Sequence, residues 1–109
     1  MTSQAETIPP TERPTLLSCT CASTLDDEVV ISLRGEIDIS SQELLRDLLA
    51  AAQPLAGLLV LDMAGVTFLD SSGIKEIVNA HRAGPLRIRG ATPPIRRVLD
   101  LTGLAGLLT

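Results

Sequence analysis

Four consecutive apolar residues, Leu58-Leu59-Val60-Leu61, lie between two segments whose apolar residues recur at three- and four-residue spacing. A short, uniformly apolar run is the mark of a strand covered on both faces, as in a parallel sheet. The segment before it carries Leu44, Leu45, Leu48, Leu49 and Ala52, one apolar stripe of an amphipathic helix. Ser40 and Glu43 fit a capping box at its start, and Pro54 and Gly57 mark its end. The segment after it begins at Asp70-Ser71-Ser72-Gly73, with Ile74, Ile77, Val78 and His81 at helical spacing, and stops at Ala83-Gly84-Pro85. Met63 to Thr67 is predicted as a loop between strand and helix.

The rest of the chain falls in with this core. Thr15 to Ala22 and Val29 to Leu33 are predicted strands, joined by the polar turn Leu25-Asp26-Asp27-Glu28 into a hairpin. Gly35 to Ile39 leads into the first helix. Leu86-Arg87-Ile88-Arg89 alternates, as a less covered strand does, and Pro93-Pro94 opens a third helix with Ile95, Val98 and Leu99 inward and Gly103 at its end. Leu104 to Thr109 is read as a last strand or a packed tail. Residues 1–14 hold Pro9, Pro10 and Pro14 without periodicity and are expected to form a flexible tail, leaving 15–109 as one domain. The predicted fold is α/β, in the order β-β-α-β-α-β-α. Its sheet is mixed but mostly parallel, with right-handed crossovers. With Phe68 the one aromatic, the core is built from Leu, Ile, Val and Ala.

Charge and composition remove several function classes. A net charge of −4 and the absence of Trp and Tyr leave neither a basic stripe for phosphates nor a platform for stacked bases, so no direct nucleic-acid partner is expected. The apolar runs are far shorter than the ~20 residues of a membrane span. The first residues carry neither a basic region nor an apolar one, so no signal peptide is read and the expected location is the cytoplasm. Cys19 and Cys21 are read as two small residues on one strand; with the one histidine far off at position 81, no metal site is expected. His81 also lies more than about 10 Å along the helix from Ser72, out of reach as its base. No phosphate-binding glycine loop is present. The chain is therefore expected to be no enzyme and to need no cofactor.

One constellation stands apart. Asp70 at a helix N-cap accepts a bond from an early helical N–H, which puts Ser71 and Ser72 on the first two helical positions, beside orphan donors and the positive end of the helix dipole. A phosphate there adds about −1.5 to −2 charges where backbone N–H groups receive it. Gly73 allows close approach of another backbone or a partner. Asp38 and Asp70 would add like charge if both face the same surface. On these four residues alone a simple helix cap is the better reading, because serines are common at helix starts.

The surrounding segments resemble the STAS-domain family, specifically the bacterial anti-sigma-factor antagonists. Val30-Ile31-Ser32-Leu33-Arg34-Gly35-Glu36-Ile37-Asp38 is similar to the family's strand followed by Gly-Glu-Leu/Ile-Asp. Leu59 to Asp62, followed by Val66-Thr67-Phe68-Leu69-Asp70-Ser71-Ser72-Gly73-Ile74, resembles its central strand and phosphorylation loop. Ile95 to Leu104 resembles its later helix with a Ser/Thr-Gly-Leu turn. Lys75 departs from the family's usual small residue. The resemblance implies an antagonist that binds an anti-sigma factor, itself a serine kinase, and so frees a sigma factor for transcription. Phosphorylation at Ser72, with Ser71 as second choice, ejects it, and a serine phosphatase restores it. Asp38, Asp70, Ser71, Gly73 and Ile74 are the expected partner-binding residues. A non-switching STAS subunit of a larger assembly, such as a transporter complex, is the alternative. A nucleotide-binding domain is a third reading.

Overall fold

The computed structural model describes residues 18–23 and 27–109. The tail expected over residues 1–14, the start of the first predicted strand and the first half of the predicted hairpin turn lie outside the described residues. The strands are β1 (Ser18–Ser23), β2 (Glu28–Ile37), β3 (Leu58–Leu69) and β4 (Leu86–Arg89); the helices are α1 (Gln42–Ala52), α2 (Ser71–Ala83) and α3 (Pro93–Leu101). They form one sheet in the order β1-β2-β3-β4. β1 runs antiparallel to β2, and β2, β3 and β4 are parallel. This is the predicted element order, with the predicted mostly parallel sheet.

Alternation along the strands places the core. Val29, Ile31 and Leu33 of β2 join Leu59, Leu61 and Met63 of β3 and Leu86 and Ile88 of β4 in one cluster. Leu45 and Leu49 of α1, Ile77 and Ala80 of α2, and Ile95 and Leu99 of α3 close the same cluster, so all three helices lie on one sheet face. Val60 points the other way and is 6% exposed, so β3 is covered on both faces as its apolar run implies. Arg87 and Arg89 alternate outward on β4. Beyond α3, Gly103 turns at φ 83°, Leu104 N–H reaches back to the Leu99 carbonyl, and a 3-10 turn leads Leu108 beside Ile88. The C-terminal residues are thus a packed tail that touches β4 through an isolated bridge.

Three local expectations are corrected. Met63 to Thr67 is strand rather than loop: β2 and β3 keep pairing to Ile37 and Leu69, past register shifts between Ser32 and Arg34 and between Gly35 and Glu36. The shifts bend the strands without ending the ladder, and Gly65 sits so close that an added Cβ would stand 2.9 Å from Arg34 Cγ. Second, α1 starts at Gln42 rather than behind a Ser40 cap. The Ser40 hydroxyl donates instead to Asp38 Oδ1 at 2.6 Å, a charge-assisted bond that a capping geometry does not match. Ser41, which is buried, donates its hydroxyl to the Glu36 carbonyl and accepts from the Asp38 amide. Third, the buried arc of α2 is centred on Gly73, Glu76, Ile77 and Ala80. Ile74 and Val78 lie at its margin, and His81 is exposed.

Candidate functional site

Because β2 and β3 are parallel, both end at the same edge of the sheet, and both run directly into the turns that start α1 and α2. The Asp70 amide donates to the Ile37 carbonyl at 3.2 Å, which ties the two turns together. Asp38 and Asp70, 32 positions apart in sequence, are thereby neighbours at one rim.

Asp70 is the N-cap expected from the sequence. Its backbone is extended (φ −117°, ψ −170°), and Oδ1 accepts the Ser72 amide at 2.9 Å. Its carbonyl takes the first helical bond from the Ile74 amide. Ser71 is therefore the first residue of α2 and is exposed; Ser72 is the second and is half-buried. Among the described residues nothing hydrogen-bonds the Ser72 hydroxyl, and no buried side-chain oxygen is left without a partner, so that hydroxyl reaches solvent. Asp38 holds its own turn: Oδ1 accepts both the amide and the hydroxyl of Ser40. The Ser40 hydroxyl, aided by neighbouring backbone N–H groups, keeps the Asp38 carboxyl below its ordinary value, so the rim carries a fixed anion. Ile39 and Phe68, 73% and 47% exposed, flank these carboxylates with apolar surface.

Two of the expected site residues face inward. Gly73 is buried, and a Cβ there would come within 2.4 Å of Ile37 Cγ2 and 2.6 Å of Leu69 Cδ1. The close approach it permits is that of α2 to the ends of β2 and β3. Ile74 is half-buried against the core. Asp38, Asp70, Ser71 and Ser72 form the accessible part.

Sequence reasoning missed Glu76. Its side chain is 3% exposed, yet it accepts from Gln42 Nε2 at 2.8 Å and pairs with Arg46 Nη2 at 3.4 Å, joining α2 to α1 just behind the serines. Burial alone would raise its pKa; the Gln42 and Arg46 contacts outweigh that and hold it below the ordinary value of 4.5. The legible signal was a carboxylate on the same arc as Gly73, Ile77 and Ala80. A group whose pKa falls on folding stabilises the fold above its unfolded pKa, and that contribution is lost as pH falls through the folded value. The urea midpoint of the protein should therefore drop below pH ~4.5, and a Glu76→Gln variant should show a shallower drop. Equal slopes for the two proteins would remove Glu76 from the acid response.

A surface groove of about 760 Å³ runs along α3 past Arg96, Arg97, Asp100 and Leu101 and takes in no residue of this rim. Among the described residues no group of His, Cys, Asp and Glu has the arrangement of a metal site, and no helix is long and apolar enough to cross a membrane.

Comparison with known proteins gives this arrangement a family. Among curated proteins, the chain is 26% identical over 83 residues to the anti-sigma F factor antagonist of Paenibacillus polymyxa, covering 70% of this chain and 71% of that protein. It is 24% identical over 88 residues to the anti-sigma-B factor antagonist of Bacillus subtilis strain 168, covering 76% and 81%. Among solved structures, an anti-sigma factor antagonist from Mycobacterium paratuberculosis superposes with a TM-score of 0.76 at 26% identity, over 84% of this chain and 82% of that one. The antagonist SpoIIAA in its unphosphorylated form gives 0.73 at 23%, over 84% and 86%. The murine Slc26a9 anion transporter shares the fold (TM-score 0.62, 15% identity), with 84% of this chain matching 19% of the transporter. The family model described as "Mlab, STAS domain" matches residues 21–109, and the chain belongs to the STAS-domain family.

Proposed function

We propose that this chain is an anti-sigma-factor antagonist whose binding is switched at Ser72. It docks an anti-sigma factor that is also a serine kinase, through the rim formed by Asp38, Asp70, Ser71 and the first turn of α2. Docking releases a sigma factor to direct transcription. Gly73 and Ile74 serve the rim from beneath, by seating that turn on the sheet. The kinase transfers the γ-phosphoryl group of ATP to the Ser72 oxygen, the hydroxyl proton passing to the kinase's base and ADP leaving. The chain supplies no catalytic group or cofactor of its own and works in the cytoplasm. A serine phosphatase hydrolyses the phosphoserine and resets the protein.

The observation that carries this reading is a solvent-reaching hydroxyl on the second residue of a capped helix. The backbone N–H beside it is already held by Asp70, so the turn is built before any phosphate arrives. The added charge is then felt by whatever docks, because the scaffold beneath has no need to refold. The names of the curated relatives point to the same class of partner. The test is incubation with the cognate anti-sigma kinase and ATP, followed by mass spectrometry. The expected product carries one phosphate on Ser72; a product with none on either Ser72 or Ser71 overturns the switch.

A second reading has one observation in its favour. The same fold occurs as a minor part of an anion transporter chain. A non-switching subunit of a larger assembly would use this rim as a constant contact, and would co-purify with its partners whether or not phosphatase is added.

A further inference from the structure

We infer that Arg46 is the built-in counterion for a phosphate on Ser72, so that modification fastens the start of α2 to α1. This inference rests on the proposed phosphorylation of Ser72. Ser72 and Glu76 lie one turn apart on the same side of α2, with Cβ atoms about 5–6 Å apart. Helical side chains lean toward the N-terminus, so the Glu76 carboxylate lies on the Ser72 side of its own Cα. The Arg46 guanidinium already sits on that carboxylate, through Nε and Nη2 at 3.4 Å each.

These two contacts are long for charge-assisted bonds, which settle near 2.7–2.9 Å. The Arg46 side chain is 52% exposed, and the seam between α1 and α2 opens there into a cavity of about 120 Å³ lined by Arg46, Gln53, Glu76 and Asn79. Arg46 is thus anchored but loosely held, with donors to spare. The carboxylate engages the guanidinium through both oxygens but at long range, and a dianion one turn away offers it nearly twice the charge and shorter bonds. Gln42 keeps its 2.8 Å bond to Glu76, so the buried carboxylate is not stranded when Arg46 turns. Lys75, exposed and three residues beyond Ser72, is a second cation on the same turn of α2. Its single ammonium is solvated and belongs to α2 alone, so it can screen the phosphate but cannot link two helices.

The test places phosphoserine at position 72 by genetic encoding, which needs no kinase. Melting temperatures are then measured with and without the phosphate in the wild-type, Arg46→Gln, Arg46→Lys and Lys75→Gln backgrounds. In the wild-type background phosphorylation should leave Tm unchanged or raised. In Arg46→Gln it should lower Tm relative to the unmodified variant, by roughly 4 °C or more. Arg46→Lys should fall between, and the difference should shrink in high salt. The Arg46 Nε–H resonance should also shift on phosphorylation in wild-type protein. Equal effects of the phosphate in the wild-type and Arg46→Gln backgrounds overturn the inference, as does a larger dependence on Lys75 than on Arg46. Failure of a kinase to modify Ser72 would count against the switch itself and is read in a separate experiment.

Discussion

A Ser72→Asp variant should bind the anti-sigma factor roughly ten- to a hundredfold more weakly than wild-type, while Ser72→Ala should bind within about twofold. Ser72 lies beside Asp70 on a rim that Asp38 shares and that already carries negative charge, and the Ser40 bond favours the ionised form of Asp38. A further carboxylate there meets a partner surface suited to fewer charges. Like-charge juxtaposition at an interface costs several kcal/mol, and each 1.4 kcal/mol is about tenfold in affinity. One charge of aspartate against nearly two of phosphate makes the variant a lower bound on the block. Folding does not confound the result. An acidic residue in the first turn of a helix is favourable by about 0.3–1 kcal/mol, so Ser72→Asp should melt no lower than wild-type. Titration calorimetry with the anti-sigma factor reads the affinity, and thermal melts read the fold. Undiminished affinity in Ser72→Asp would refute the electrostatic block.

The parts of this molecule that are local in sequence were legible, and those that depend on pairing across the chain were not. Asp70 as cap, the serines at the first two positions of α2, the alternation of β4 and the proline start of α3 each follow from a few adjacent residues. β3 reads as ending at Asp62 because that residue and Gly65 interrupt the apolar run; only the pairing with β2 shows that β3 absorbs one extra residue at each register shift and that the ladder continues to Leu69. Ser40 has the spacing of a cap, yet Asp38 two residues earlier captures its hydroxyl. Glu76 looked like the polar face of α2 until α1 supplied Gln42 and Arg46. The nearness of Asp38 and Asp70 follows from parallel pairing of β2 with β3, which the element order implies. That all three helices share one face does not follow from the order, and the common cluster supplies it.

Gly73→Ala should be the most damaging small substitution at the site. A Cβ at this position would press on Ile37 Cγ2 and Leu69 Cδ1, methyl groups of two buried side chains with little room to swing away. Ile37 is β-branched and fully buried, and Leu69 lies at the end of β3, one residue from the cap. Overpacking of this kind costs about 1–3 kcal/mol. Alanine recovers up to about 1 kcal/mol of helix propensity, which offsets only part of it. A net loss of about 1–2 kcal/mol in a domain of this size corresponds to a fall in Tm of roughly 4–15 °C. The relief available is for the first turn of α2 to lift from the sheet, which carries Asp70, Ser71 and Ser72 out of register with Asp38. Binding to the anti-sigma factor and phosphorylation should therefore both weaken, although no side chain of the rim has changed. Gly106→Ala is the matched control: nothing lies within 4 Å of a Cβ there, and its Tm should stay close to wild-type. If Gly73→Ala melts with Gly106→Ala and binds like wild-type, the seat of α2 is looser than this packing implies, and the rim's geometry does not depend on it.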